Sequence, residues 1–109
     1  MSSERRRSPR YQFIADAVVA DLESGTRVNA KTGDLSLGGC FLDMRNPSPE
    51  GAEVRVTIFH GTTTFTAVGK VVFVFPGTGM GVMFTSVEAD QSAALQEWLS
   101  ELSQGAPIV

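Results

Sequence analysis

What most restricts the fold open to this chain is a period-two alternation of apolar and polar residues, repeated in short runs that each end at Gly, Pro, Asn or Ser. Val28, Ala30 and Thr32 fall on one side and Arg27, Asn29 and Lys31 on the other, and Val54, Val56 and Ile58 alternate with Glu53, Arg55 and Thr57 in the same way. A strand of this kind has one face to bury and one to leave in water, which suits antiparallel pairing. Residues 11–21 read as a strand whose odd positions, Tyr11, Phe13, Ala15, Ala17 and Val19, are the more apolar. Residues 33–39 are expected to break the second run. Residues 40–44, 62–75 and 80–85 supply further strands, separated by turn sequences such as Asn46-Pro47-Ser48-Pro49-Glu50-Gly51 and Pro76-Gly77-Thr78-Gly79. Residues 71–75 are apolar on both faces, so an outer cover is expected there. The period becomes helical only once, at about 89–103, with Leu95, Trp98, Leu99 and Leu102 on one face, and this helix is the expected cover. Gly105 and Pro107 are expected to end it.

About six strands in hairpin-like order with one terminal helix, and no alternating βαβ units, predict an all-β fold with a C-terminal helix. A six-stranded antiparallel barrel is the economical closure. At 109 residues the chain is the size of one domain, able to hold a core without staples, and its single cysteine, Cys40, can form no internal disulfide. No run approaches the roughly 20 apolar residues that span a bilayer, and the charged start Ser2-Ser3-Glu4-Arg5-Arg6-Arg7 leads into no signal-peptide core. The expectation is a cytoplasmic protein with no membrane insertion. Residues 1–10 read as a flexible arginine-rich arm and residues 11–109 as the barrel with its helix.

The net charge of −3 hides a strong asymmetry: Arg5, Arg6, Arg7 and Arg10 are four of the nine basic residues. Without them, five basic residues face twelve acidic ones. An acidic body with a basic tip suits a small anion better than long nucleic acid, whose backbone the body would repel.

Enzyme constellations are missing from the sequence. His60 is the only histidine, with no ligand-type neighbour at metal spacing, and reads as a turn residue. Cys40 lies in an apolar run with no basic neighbour and reads as a small core side chain. Ser36 is not in a Gly-x-Ser-x-Gly elbow, and there is no phosphate-binding P-loop. The chain is therefore expected not to be an enzyme.

Two segments remain. In Arg5-Arg6-Arg7-Ser8-Pro9-Arg10, Pro9 forbids a helix running through Arg10 and biases Ser8 toward extended backbone. Arginine forks bind phosphate oxygens bidentately, stack on purines and donate to the O6/N7 edge of guanine. A solvated tail is the plainer reading. In Asp34-Leu35-Ser36-Leu37-Gly38-Gly39, a carboxylate accepts from guanine N1 and N2, a hydroxyl adds a bond, and glycines at positive φ let a ligand reach the backbone. Here the plainer reading is a structural turn.

Taken together the segments resemble the PilZ domain family, bacterial receptors for cyclic dimeric GMP (cyclic di-GMP). Arg6 and Arg10 match the Arg-x-x-x-Arg pattern with Arg5 before it, and Asp34, Ser36 and Gly39 match (Asp/Asn)-x-Ser-x-x-Gly. Gly38-Gly39-Cys40-Phe41-Leu42 and Gly81-Val82-Met83-Phe84 are similar to family strands, so the likeness runs over nearly the whole chain. It implies a PilZ-like six-stranded barrel that binds cyclic di-GMP, with no cofactor. Arg6 and Arg10 would contact phosphates and guanine Hoogsteen edges, supported by Arg5. Asp34 would accept from guanine or hold an arginine, Ser36 would bond phosphate or base, and Gly39 would keep the floor open. The arm would order on the nucleotide and present a new surface to an unidentified effector protein, which with no second domain in view makes the chain a stand-alone receptor. The alternative is a PilZ-like interaction module that works without nucleotide. The aromatics Phe41, Phe59 and Phe65 are expected to be half exposed.

Overall fold

A computed structural model describes residues 9–105, and its strands follow the alternation closely. They are β1 (Tyr11–Gln12), β2 (Asp16–Asp21), β3 (Arg27–Leu35), β4 (Gly39–Asp43), β5 (Glu53–His60), β6 (Thr63–Phe75) and β7 (Gly79–Ser86), followed by α1 (Ala89–Gly105). All pairings are antiparallel, in the order β3-β2-β5-β6-β7-β4, and β4 returns to pair with β3, closing a six-stranded barrel. The two-residue β1 is an extra strand on the far end of β3.

The apolar side of each run faces inward. Val54, Val56 and Ile58 are fully buried, as are Leu35, Leu42, Phe65 and Met80. Each such side chain contributes roughly 1.5–3 kcal/mol through burial. Phe65 is thus a core residue, correcting the expectation of half exposure, because it falls on the same face of β6 as Ala67 and opposite Ile58 of β5. Phe59 stays exposed and Phe41 half-buried.

The run at residues 11–21 divides into two strands. Between them Thr32, fully buried, donates its hydroxyl hydrogen to the Phe13 carbonyl and accepts from the Ala15 amide at 2.9 Å. The Ala15 carbonyl in turn takes the Thr32 amide at 2.9 Å. One buried hydroxyl thus serves backbone groups that strand pairing leaves over at the β1–β2 step. Thr32→Val, isosteric but without these bonds, is expected to lower unfolding free energy by about 2 kcal/mol in urea denaturation. A loss below half a kcal/mol would show that water replaces the hydroxyl.

The helix does not lie over residues 71–75. β7 pairs with β6 only from Val68 onward, so the start of β6 has a bare edge, and α1 packs there and on β1. The Gln91 side chain accepts from the Thr66 amide at 2.7 Å. Leu95 and Trp98 are buried, with Trp98 against Phe13, Phe65 and His60 at ring separations of 5.7, 6.2 and 5.4 Å. His60 is therefore the last residue of β5, its ring packed on aromatics, and the turn follows at Gly61, where φ is +62°. The unmet need of β6 for an edge partner, together with the barrel end to be filled, drew the helix there. The outer side of residues 71–75 is left bare, with Val72 39%, Phe73 37% and Phe75 55% exposed. The helix also runs two residues past its expected end, to Gly105.

Candidate functional site

Residues 33–39 do not break β3 as expected: the strand continues to Leu35, with a bulge at Gly33 that shifts the register between Thr32 and Asp34. Asp34 therefore belongs to a strand end, flanked by Gln12 of β1 on one side and Phe41 of β4 on the other. β1 is what brings Arg10, the residue just before it, to this place. The Arg10 Nη2 donates to Asp34 Oδ2 at 2.9 Å, with the two side chains 57% and 29% exposed. Of the two roles foreseen for Asp34, holding an arginine is the one seen. One such bond leaves other N–H donors of the fork available to a ligand.

Ser36 opens the tight turn from β3 into β4. Its hydroxyl oxygen accepts the Gly38 and Gly39 amides, each at 3.2 Å, and its hydrogen points to the Gly39 carbonyl at 3.3 Å. The Ser36 amide bonds the same carbonyl at 2.9 Å. This serine builds the turn and holds its shape. Neither glycine needs positive φ, in contrast to the sequence expectation; the positive-φ glycines among the described residues are Gly25, Gly51, Gly61 and Gly77. Gly39 is required for another reason. A Cβ there would run into the Val82 carbonyl oxygen and stand 3.2 Å from Met83 Cα, so a side chain would push β4 off β7. A Cβ on Gly38 would meet nothing within 4 Å.

Around these groups lies a cleft of about 180 Å³, lined by Arg10, Asp34, Ser36, Gly39, Phe73 and Met83, with Cys40 at its back. Four of the six candidate site residues thus share one cleft. Arg5 and Arg6 lie outside the described residues. The contributions of Phe73, Gly81 and Met83 were missed from sequence, although the two-faced apolar run at 71–75 was the signal for Phe73. Cys40 is buried, and burial followed by the negative charge of Asp34 pushes its thiol pKa up to about 12. It stays a protonated, unreactive thiol at neutral pH. The sign follows: a thiol easier to ionise unfolded, near 9, than folded, near 12, erodes stability as pH rises across that interval.

A roomier groove of about 670 Å³ lies on β2 and β3, where the exposed pair Lys31–Asp16, at 2.6 Å, is the main polar feature. It holds no convergent set of donors. Among the described residues no group of three His, Cys, Asp or Glu side chains could hold a metal ion, and no helix is long and apolar enough to cross a membrane.

A family model for the PilZ domain matches residues 4–101. Among solved structures, the PilZ domain of CeSA from a cellulose-synthesizing bacterium aligns with a TM-score of 0.70 at 18% identity, covering 87% of this chain and 98% of that one. The PilZ domain of YcgR from Escherichia coli, solved with c-di-GMP, aligns with a TM-score of 0.76 at 18% identity, over 94% of this chain and 95% of that one. The MrkH–c-di-GMP complex of K. pneumonia gives 0.79 at 18% identity, over 94% of this chain but only 54% of the other. No curated protein matches.

Proposed function

The chain belongs to the PilZ domain family, and from that membership we propose that it is a receptor for cyclic di-GMP which orders residues 1–10 around the nucleotide and signals to a protein partner. The observation that carries this reading is the cleft in which a barrel-edge carboxylate, Asp34, holds Arg10 beside the Ser36 turn. Two phosphates and two guanines need several forked cationic donors, and the arginine segment that ends at Arg10 supplies that group type. In this reading Arg6 and Arg10 grip phosphate and guanine edges, with Arg5 in support. Asp34 keeps the Arg10 fork aimed, Ser36 holds the turn in shape and bonds phosphate or base, and Gly39 lets β4 sit close on β7 beneath the ligand.

Closing the arm over the ligand orders backbone at about 1–2 kcal/mol per residue, so the closed form is stable only with nucleotide present. The closed arm then presents a surface that the free protein lacks. Calorimetric titration of cyclic di-GMP into the purified protein tests the reading: saturable heat supports it. No heat, and no rise in Tm at high nucleotide excess, favours the alternative of an interaction module that works without nucleotide.

A further inference from the structure

Leu37 stands 48% exposed in the Ser36 turn, and Tyr11 is only half-buried on β1. With Pro9 they form one wall of a groove of about 450 Å³ whose other wall is α1, through Gln96, Leu99 and Ser100. No charged side chain lines this groove, and none of its residues lines the arginine–aspartate cleft. The two are nevertheless joined through the backbone. Pro9 and Tyr11 flank Arg10, and Leu37 follows Ser36 directly. Successive side chains of an extended segment point to opposite sides, which is how Arg10 serves the cleft while its two neighbours serve the groove. A ligand that fixes Arg10 and Ser36 therefore fixes one wall of the groove as well.

The other wall carries a charge that nothing in the helix answers. α1 contains Asp90, Glu97 and Glu101 and no Lys, Arg or His. Glu97 and Glu101 are exposed, and each follows a residue of the groove, Gln96 and Ser100, at about 100° further round the helix. Among the described residues neither glutamate has a cation within ion-pair distance. Like charges four residues apart repel, and Glu101 also sits at the negative end of the helix dipole, so both are placed against the helix's own stability. An uncharged, partly apolar groove beside such a crest is complementary to an apolar anchor flanked by cations.

We propose that the groove between α1 and the Tyr11–Leu37 wall is the docking site for a basic, amphipathic segment of a partner protein. Its apolar side chains enter between Leu37 and Leu99, and its Lys or Arg residues lie along Glu97 and Glu101. This rests on the receptor reading and names the chemistry of the partner: nucleotide held by Arg10 and Ser36 sets the wall against which the segment binds.

The probe is a phage library of random linear peptides, panned on the full chain with and without saturating cyclic di-GMP. Enriched peptides are synthesised and titrated by fluorescence polarisation into the parent protein, Leu37→Ser and Glu97→Gln/Glu101→Gln, each checked by circular dichroism. The enriched peptides are expected to combine Lys or Arg with spaced apolar residues. Leu37→Ser weakens them about tenfold or more, the worth of one well-buried apolar side chain. The double glutamine variant weakens them about three- to tenfold and flattens their dependence on salt. Cyclic di-GMP tightens the peptide about fivefold or more, and by linkage the peptide tightens cyclic di-GMP by the same factor. No enrichment, enrichment of peptides without basic residues, or full affinity in Leu37→Ser overturns the groove. A dimer in ultracentrifugation that Leu37→Ser abolishes gives the face to a second copy of the chain and overturns the partner. Calorimetric binding of cyclic di-GMP that leaves peptide affinity unchanged overturns the link between groove and cleft, while the receptor reading survives. Peptide docking in the groove of a chain that binds no cyclic di-GMP overturns the receptor reading and, with it, the nucleotide control of the groove.

Discussion

Replacing Arg6 and Arg10 together by alanine is expected to reduce cyclic di-GMP affinity by more than a hundredfold while leaving the barrel folded. Each charge-assisted hydrogen bond to a ligand phosphate or base is worth about 1.5–3 kcal/mol, and the two arginines make several between them. The stability side is small for Arg10, whose side chain is 57% exposed and whose described ion pair is the one to Asp34. Exposed pairs of this kind contribute about 0–1 kcal/mol. Arg10→Ala alone removes the fork that Asp34 aims, and is expected to weaken binding by at least tenfold. Titration of both variants beside the parent protein, with circular dichroism and Tm as controls, decides the matter. Undiminished affinity in the folded double variant would remove the arginine segment from the site.

The second large effect concerns stability. Gly39→Ala is expected to cost roughly 3 kcal/mol and to lower Tm by more than about 10 °C, because its methyl group meets the backbone of Val82 and Met83 and no flexible side-chain tip can yield. Gly38→Ala provides the internal comparison: nothing stands within 4 Å of its added Cβ, and Tm should stay nearly constant. The neighbouring glycines of one turn thus have different reasons to be there. If thermal melts of the two variants coincide, the close approach of β4 to β7 does not depend on the missing Cβ of Gly39.

Much of the barrel was legible because burial in an antiparallel sheet writes itself directly into alternation. Val28, Ala30 and Thr32 turn inward or half inward and Arg27, Asn29 and Lys31 face water, as their spacing requires. The helical face was equally plain, with Leu95 and Trp98 buried and Leu99 and Leu102 packed against the core. Less legible was anything decided by a partner strand. Phe65 and Phe73 look alike in sequence, yet one is fully buried and the other 37% exposed. A bulge at Val72 intervenes between them, and strand register, which no local pattern encodes, sets which of them the core receives. The bulge at Gly33 is a second instance, since it lets β3 run on to Leu35 where the glycine and turn residues suggested a break.

At the candidate site the division is similar. Residue types drew attention to the two segments, because charge, hydroxyl and missing Cβ are properties of the residue itself, and the resemblance to a family pattern picked out Arg10, Asp34, Ser36 and Gly39 within them. The sequence alone also determined the strand alternation, the single terminal helix and the contrast between a basic start and an acidic body. Only the tertiary structure decided that Asp34 is engaged by Arg10, that Gly39 is there for the approach of β4 to β7, and that Phe73 joins the cleft from a strand more than thirty positions away. It also decided that the helix covers the bare start of β6 and leaves residues 71–75 open. The physical reason is common to all four. Each depends on which backbone edge or surface remains unsatisfied once the barrel has closed, and that remainder is a property of the whole set of pairings, not of any segment.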